Sequence, residues 1–137
     1  MNDHYQLSDS DFEKKFEDCS LEPSLFNHEA HVRLAWVYIK KYGEAIAIQK
    51  ICEDIKRFDR THGDGNKFHV TLTVASVKAV NHFIKKSSSS SFKAFIGEFP
   101  RLKTSFKELL DQHYGFNVLS DEKAKTIYVL PDLVPFS

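Results

Sequence analysis

Much of what would announce a specialised class is scarce in this chain. Only Cys19 and Cys52 are cysteines, far apart and in no paired spacing. That argues against a disulfide framework or a zinc-finger pattern and favours two reduced thiols in a cytoplasmic protein. Five glycines fall in no phosphate-cradling loop or nucleophile elbow, so no nucleotide cofactor is expected. Neither charge sign is in excess, with 19 Lys and Arg against 19 Asp and Glu. A basic footprint for nucleic acid or an anionic membrane is therefore missing. No apolar run approaches the ~20 residues a membrane-spanning helix needs. The polar start, Met1 to Asp11, lacks the basic and apolar segments of a signal peptide.

What the chain does have is aromatic bulk and helical periodicity. Twelve Phe, five Tyr and one Trp in 137 residues suit one domain, residues 1–137, with a bulky core. A chain of this length buries about two thirds of its unfolded surface. Ser8 or Ser10 can cap a first helix carrying Phe12 and Phe16, and Pro23 ends that unit. Asn27 is a good cap and Gly43 a good stop for a second helix. Ile48, Ile51, Cys52, Ile55 and Phe58 recur at three- and four-residue steps, which predicts a third helix over 44–62. The Gly63 to Asn66 turn leads into a fourth helix over 67–86. Five serines over 87–91 read as a flexible, solvated connection. Short helices follow, at 92–96, from Pro100 to just before Gly115, and from a Ser120 cap to Lys125. The tail from Ile127 to Phe136 holds two prolines and should run extended across the helices. The fold class expected is all-α: an antiparallel bundle of five to six helices with an extended C-terminal strap. Residues 1–7, His4 among them, are expected to be disordered.

Short links make consecutive helices antiparallel neighbours. At about 1.5 Å per residue, a position fifteen before Gly43 pairs with one about fifteen after it. His28 then lies level with Phe58 and Asp59, His62 about one turn beyond, and His69 near Arg60. His28, His31, Asp59, His62 and His69 should meet at one end of the bundle. His28 and His31 are three apart, hence on one face, and a helix start favours neutral imidazole.

Neutral imidazole binds metals or acts as a base, so several chemistries stay open. A divalent metal, zinc, iron or copper, could be held by His28, His31 and His69. Zinc would activate water for hydrolysis or hydration, and iron or copper would activate oxygen. His69, Asp59 and His62 are the candidate catalytic or supporting groups. Without a metal, one histidine could act as general base while others bind substrate. Structural histidines in a polar core are the plain alternative. Arg33 is a candidate anion clamp, although two residues past His31 it is set toward another face. Tyr38 is a candidate wall and Thr73 a candidate ligand contact, though a helical threonine often bonds back to the preceding turn. The leading reading is a small cytoplasmic enzyme with a small-molecule substrate and no nucleic-acid or membrane partner. A non-catalytic ligand- or metal-binding module, or a helical interaction protein that forms a homodimer, are the alternatives.

Three segments resemble a known pattern. Phe26-Asn27-His28-Glu29-Ala30-His31-Val32-Arg33-Leu34-Ala35-Trp36, then Lys67-Phe68-His69-Val70-Thr71-Leu72-Thr73, are similar to motifs of a family of small uncharacterised bacterial helical proteins. Those motifs read F-x-H-x-x-H-[LV]-R-L-A-W and K-[YF]-H-E-T-x-T. The tail, Leu119 to Lys125 with Leu130-Pro131-Asp132-Leu133-Val134-Pro135, resembles that family's L-x-S-x-x-A-R and P-D-L-x-P ending. The resemblance spans residues 25–136 and implies only that His28, His31 and His69 belong to a family motif. It carries no activity. Val70 stands where the pattern has glutamate, so a reaction needing that carboxylate would be lost. Lys125 stands for an arginine, a milder change.

Overall fold

A computed structural model describes residues 3–136. Among these residues there are eight α-helices, three single 3-10 turns and no strand. Helix α1 spans Asp9–Glu17, and the Ser8 hydroxyl accepts from the Asp11 N–H to cap it. Helix α2 spans His28–Tyr42, opened by the Asn27 side chain accepting from the Ala30 N–H. It stops at Gly43, whose φ of +86° is a conformation that side-chain-bearing residues rarely adopt. Helix α3, Glu44–His62, runs back antiparallel, and α4, Val70–Ile84, reverses again. These three pack on one another, with α2 and α4 pointing the same way.

Phe12 and Phe16 of α1 are fully buried against this trio, as are Leu34 and Tyr38 of α2. Each such side chain contributes about 1.5–3 kcal/mol of hydrophobic stabilisation. Short helices α5 (Phe92–Glu98), α6 (Arg101–Thr104), α7 (Phe106–Asp111) and α8 (Glu122–Thr126) close the remaining faces. Phe92, Phe95 and Leu102 from this half enter the same core. No helix of the described residues is long and apolar enough to cross a membrane.

Several local expectations change. Helix α4 starts three residues later than its periodicity suggests, because His69 is its cap rather than a first-turn residue. The helix expected from Pro100 breaks at Ser105 (φ −139°, ψ 35°) into α6 and α7. Asp121, not Ser120, caps α8. The serine segment is tethered: the Ser87 and Ser89 hydroxyls both donate to Glu98 Oε1, at 2.6 and 2.7 Å.

Disorder of the N-terminus is also corrected over residues 3–7, while Met1 and Asn2 lie outside the described residues. His4 is fully buried. Its Nε2–H donates to Glu29 at 3.0 Å, while Nδ1 accepts from Arg33. The tautomer follows because a guanidinium can only donate. Arg33 is thereby spent on architecture. Its guanidinium donates to the His4 carbonyl at 2.6 Å, the Leu7 carbonyl at 2.8 Å and Asp9 Oδ1 at 2.8 Å. It clamps the chain's own N-terminus, not a ligand.

The strap is present, with no sheet among the described residues. Thr71, fully buried at the start of α4, donates to the Ile127 carbonyl at 2.7 Å and accepts from the Val129 N–H at 3.0 Å. Further along, the His113 ring donates from Nδ1 to the Val134 carbonyl and stacks on Phe136. Asp132 accepts from the Gly115 N–H, so the tail carboxylate is held in the loop that follows α7.

Candidate functional site

The start of α2, the end of α3 and the start of α4 meet around a cavity of about 570 Å³. His28, His31, Asp59, His62, His69 and Thr73 all line it, so helix register alone carries residues 28 and 69 to one place. Ala35, Ile51, Ile55, Val77 and Val80 are among the apolar residues that also line it, making a slot that is polar where the three termini meet and apolar along the helices. Its volume lies within the range typical of small-molecule pockets. A smaller cavity of about 340 Å³ adjoins it, and His28, Leu72 and Phe106 line both.

The hydrogen bonds assign a tautomer to each ring. The His28 Nε2–H donates to the Leu102 carbonyl at 2.9 Å, which leaves Nδ1 bare in the neutral ring. His31 does the opposite. Its Nδ1–H donates to the Asn27 carbonyl at 2.8 Å and Nε2 is bare. The His62 Nε2–H donates to the Cys19 carbonyl at 2.7 Å. His69 spends both nitrogens: Nδ1 accepts from the Leu72 N–H at 3.0 Å, and the Nε2–H donates to the Val118 carbonyl at 3.0 Å.

His31 stands out chemically. Its ring lies flat on Phe26, with centroids 3.7 Å apart and planes tilted by 24°. The residue stays solvent-exposed at the mouth of the cavity, although many neighbouring atoms surround its ring. Partial loss of hydration among these neighbours pulls its pKa below the ordinary 6.5; the Asn27 carbonyl opposes the shift and His28 adds a smaller push, so the ring is neutral at physiological pH. The Phe26 contact was legible as a hydrophobic staple, the residue before the cap packing on the fourth helical position.

Asp59 has a structural duty as well as a place in the lining. Its Oδ2 accepts from the Lys67 and Phe68 N–H groups at 2.9 and 3.1 Å, fixing the chain that enters α4. Gly63 makes room for it, since a Cβ there would sit 2.7 Å from Asp59 Oδ1. Thr73 and Ser76 bond back to the carbonyls of His69 and Leu72 at 2.7 and 2.6 Å.

Neither a protein-family model, nor a curated protein, nor a solved structure matches the chain.

Two expected contacts lie elsewhere. Arg33 faces the N-terminal turn, and Tyr38 is buried with its hydroxyl donating to Asp54 at 2.6 Å. Neither lines the cavity. The expected metal ligands share the cavity but do not converge on a point. Among the described residues no group of three or more His, Cys, Asp or Glu is placed to hold an ion. His69 in particular has no lone pair left to give. The donor set does not fit a resident metal. Cys52, in mid-helix, has its thiol pKa pushed up by burial, away from nucleophilic character.

Proposed function

We propose that the cavity between α2, α3 and α4 binds a small molecule and that His31 acts on it as hydrogen-bond acceptor and general base. The observation that carries the reading is a neutral imidazole with its Nε2 bare, held by Asn27 and Phe26 at the rim of an apolar slot. A general base must be unprotonated at the working pH with its lone pair unspent, and His31 meets both conditions. His28 and His62, each fixed by a carbonyl, serve to position the ligand. His69 and Asp59 build the walls. The protein is read as cytoplasmic and free of nucleic-acid or membrane partners, in keeping with balanced charge and two free thiols.

The test is a fragment titration followed by amide and methyl NMR. Shifts concentrated on His31, Ala35, Ile51 and Val77 are expected, weakened in His31→Leu. Binding that perturbs only residues outside the cavity would overturn the reading. A second reading, an interaction module or homodimer, draws on exposed Leu119, Leu130, Leu133 and Val134 along the C-terminal half. Light scattering across concentration separates it: a concentration-dependent dimer lost on Leu130→Asp would support it.

A further inference from the structure

We infer, resting on that binding reading, that the ligand carries a hydrogen-bond-donating head group, an ammonium or a hydroxyl, on an apolar body. The tautomers and back-bonded hydroxyls set the polarity of the site. Each of His28, His31 and His62 has given its ring proton to a main-chain carbonyl, so what remains on the neutral ring is a lone pair. Thr73 and Ser76 have likewise spent their protons on carbonyls of the preceding turn. Asp59 adds a carboxylate that can only accept. Three imidazoles, two hydroxyl oxygens and a carboxylate from three helices therefore present acceptors.

His28, His31 and His62 are exposed to solvent in the free protein, so a head group that covers them with no N–H or O–H to offer strips their water without replacing it, which costs more than a missing contact in water. A carboxylate head would in addition meet Asp59. Among the described residues, Lys67 is the one Lys or Arg in the lining of this cavity, and it is exposed. The remaining walls, Ala35, Ile51, Ile55, Val77 and Val80, offer nothing polar from their side chains and take the apolar body. Ammonium and hydroxyl heads share the required chemistry and differ in charge, so their relative affinity tells which the site was built for.

The experiment compares phenethylamine, 2-phenylethanol and phenylacetate, three probes of closely similar shape, against the intact protein by NMR titration. The amine, the alcohol or both should bind at least about tenfold more tightly than phenylacetate, the equivalent of one well-made hydrogen bond. Their shifts should map to His31 and the apolar walls, and the tighter of the two identifies the head group. Phenylacetate binding in the cavity as tightly as the other two would overturn the donor-head inference while leaving the binding reading intact. If none of the three shifts the cavity residues, both fall. His31→Leu, which keeps the bulk and removes the acceptor, should lower the affinity for the amine and alcohol several-fold and leave that for phenylacetate unchanged. An equal loss for all three would count against the inference.

Discussion

Replacing Thr71 by valine would test how the C-terminal strap is attached. The hydroxyl is fully buried and sits between two main-chain groups of the strap, donating to one and accepting from the other at 2.7 and 3.0 Å. Valine keeps the branched shape, so the change removes the oxygen and little else. Two neutral hydrogen bonds are worth about 1–3 kcal/mol together. The exposed Ile127 can turn its carbonyl toward water, whereas the half-buried Val129 N–H has less access, so the loss should lie near the middle. A value of about 2 kcal/mol corresponds to roughly thirtyfold faster exchange of the Val129 amide if the strap opens locally. Hydrogen exchange read by NMR resolves that amide, and thermal unfolding reports whether the effect stays local. Thr71→Ser, which retains the oxygen, should exchange within a few-fold of wild type. If Thr71→Val leaves Val129 protection unchanged, the hydroxyl does not anchor the strap and the reasoning fails.

Gly63→Ala should cost about 1–3 kcal/mol, since its Cβ would meet Asp59 Oδ1 at 2.7 Å and the Asp59 carbonyl at 3.0 Å, while Gly97→Ala, with open space around its Cβ, should gain a few tenths to about 1 kcal/mol. Urea unfolding of the two variants checks the contrast. His31 should titrate below 6.5 by NMR. Because its folded pKa is depressed, the unfolded state binds the proton more readily, so stability falls as pH drops from 6.5 toward the folded value. That slope should shrink in His31→Gln, and an unchanged slope would count against a His31 ring held neutral in the folded protein. Arg33→Lys keeps the charge but cannot reproduce bonds to His4, Leu7 and Asp9 from one planar group, so a loss of about 2–4 kcal/mol is expected, with faster amide exchange over residues 3–8.

The helices at the centre were legible because their signals are local. Asn27 and Gly43 bracket α2 by their own side-chain and backbone chemistry, and the stripe from Ile48 to Phe58 needs only the helical period. Convergence of the histidines followed from two short turns and a constant rise per residue. What stayed hidden depends on distant partners. Arg33 lies in a motif beside His31, yet its role is set by His4 and Asp9, more than twenty positions earlier. Ser105 breaks a helix that composition would continue, and nothing nearby in sequence marks it. The serines over 87–91 look flexible until Glu98 accepts from two of them, which also lowers the pKa of that carboxyl.

The rings themselves make the sharpest division between what spacing can and cannot give. Spacing brought His28, His31 and His69 together as equals, and the hydrogen bonds make them unequal. An imidazole has one proton and one lone pair in its neutral form, so each partner it takes removes one chemical option. His69 takes two partners and becomes a cap and a tie between α4 and the turn at Val118–Ser120. His31 takes one, from the carbonyl of its own helix cap, and keeps the lone pair on the nitrogen farther from the backbone. His28 and His31 each keep a lone pair on the neutral ring, on opposite nitrogens, whereas His69 keeps none. Asn27 fixes the His31 tautomer while capping the helix: its side chain receives the Ala30 N–H, and its carbonyl receives the imidazole proton of His31.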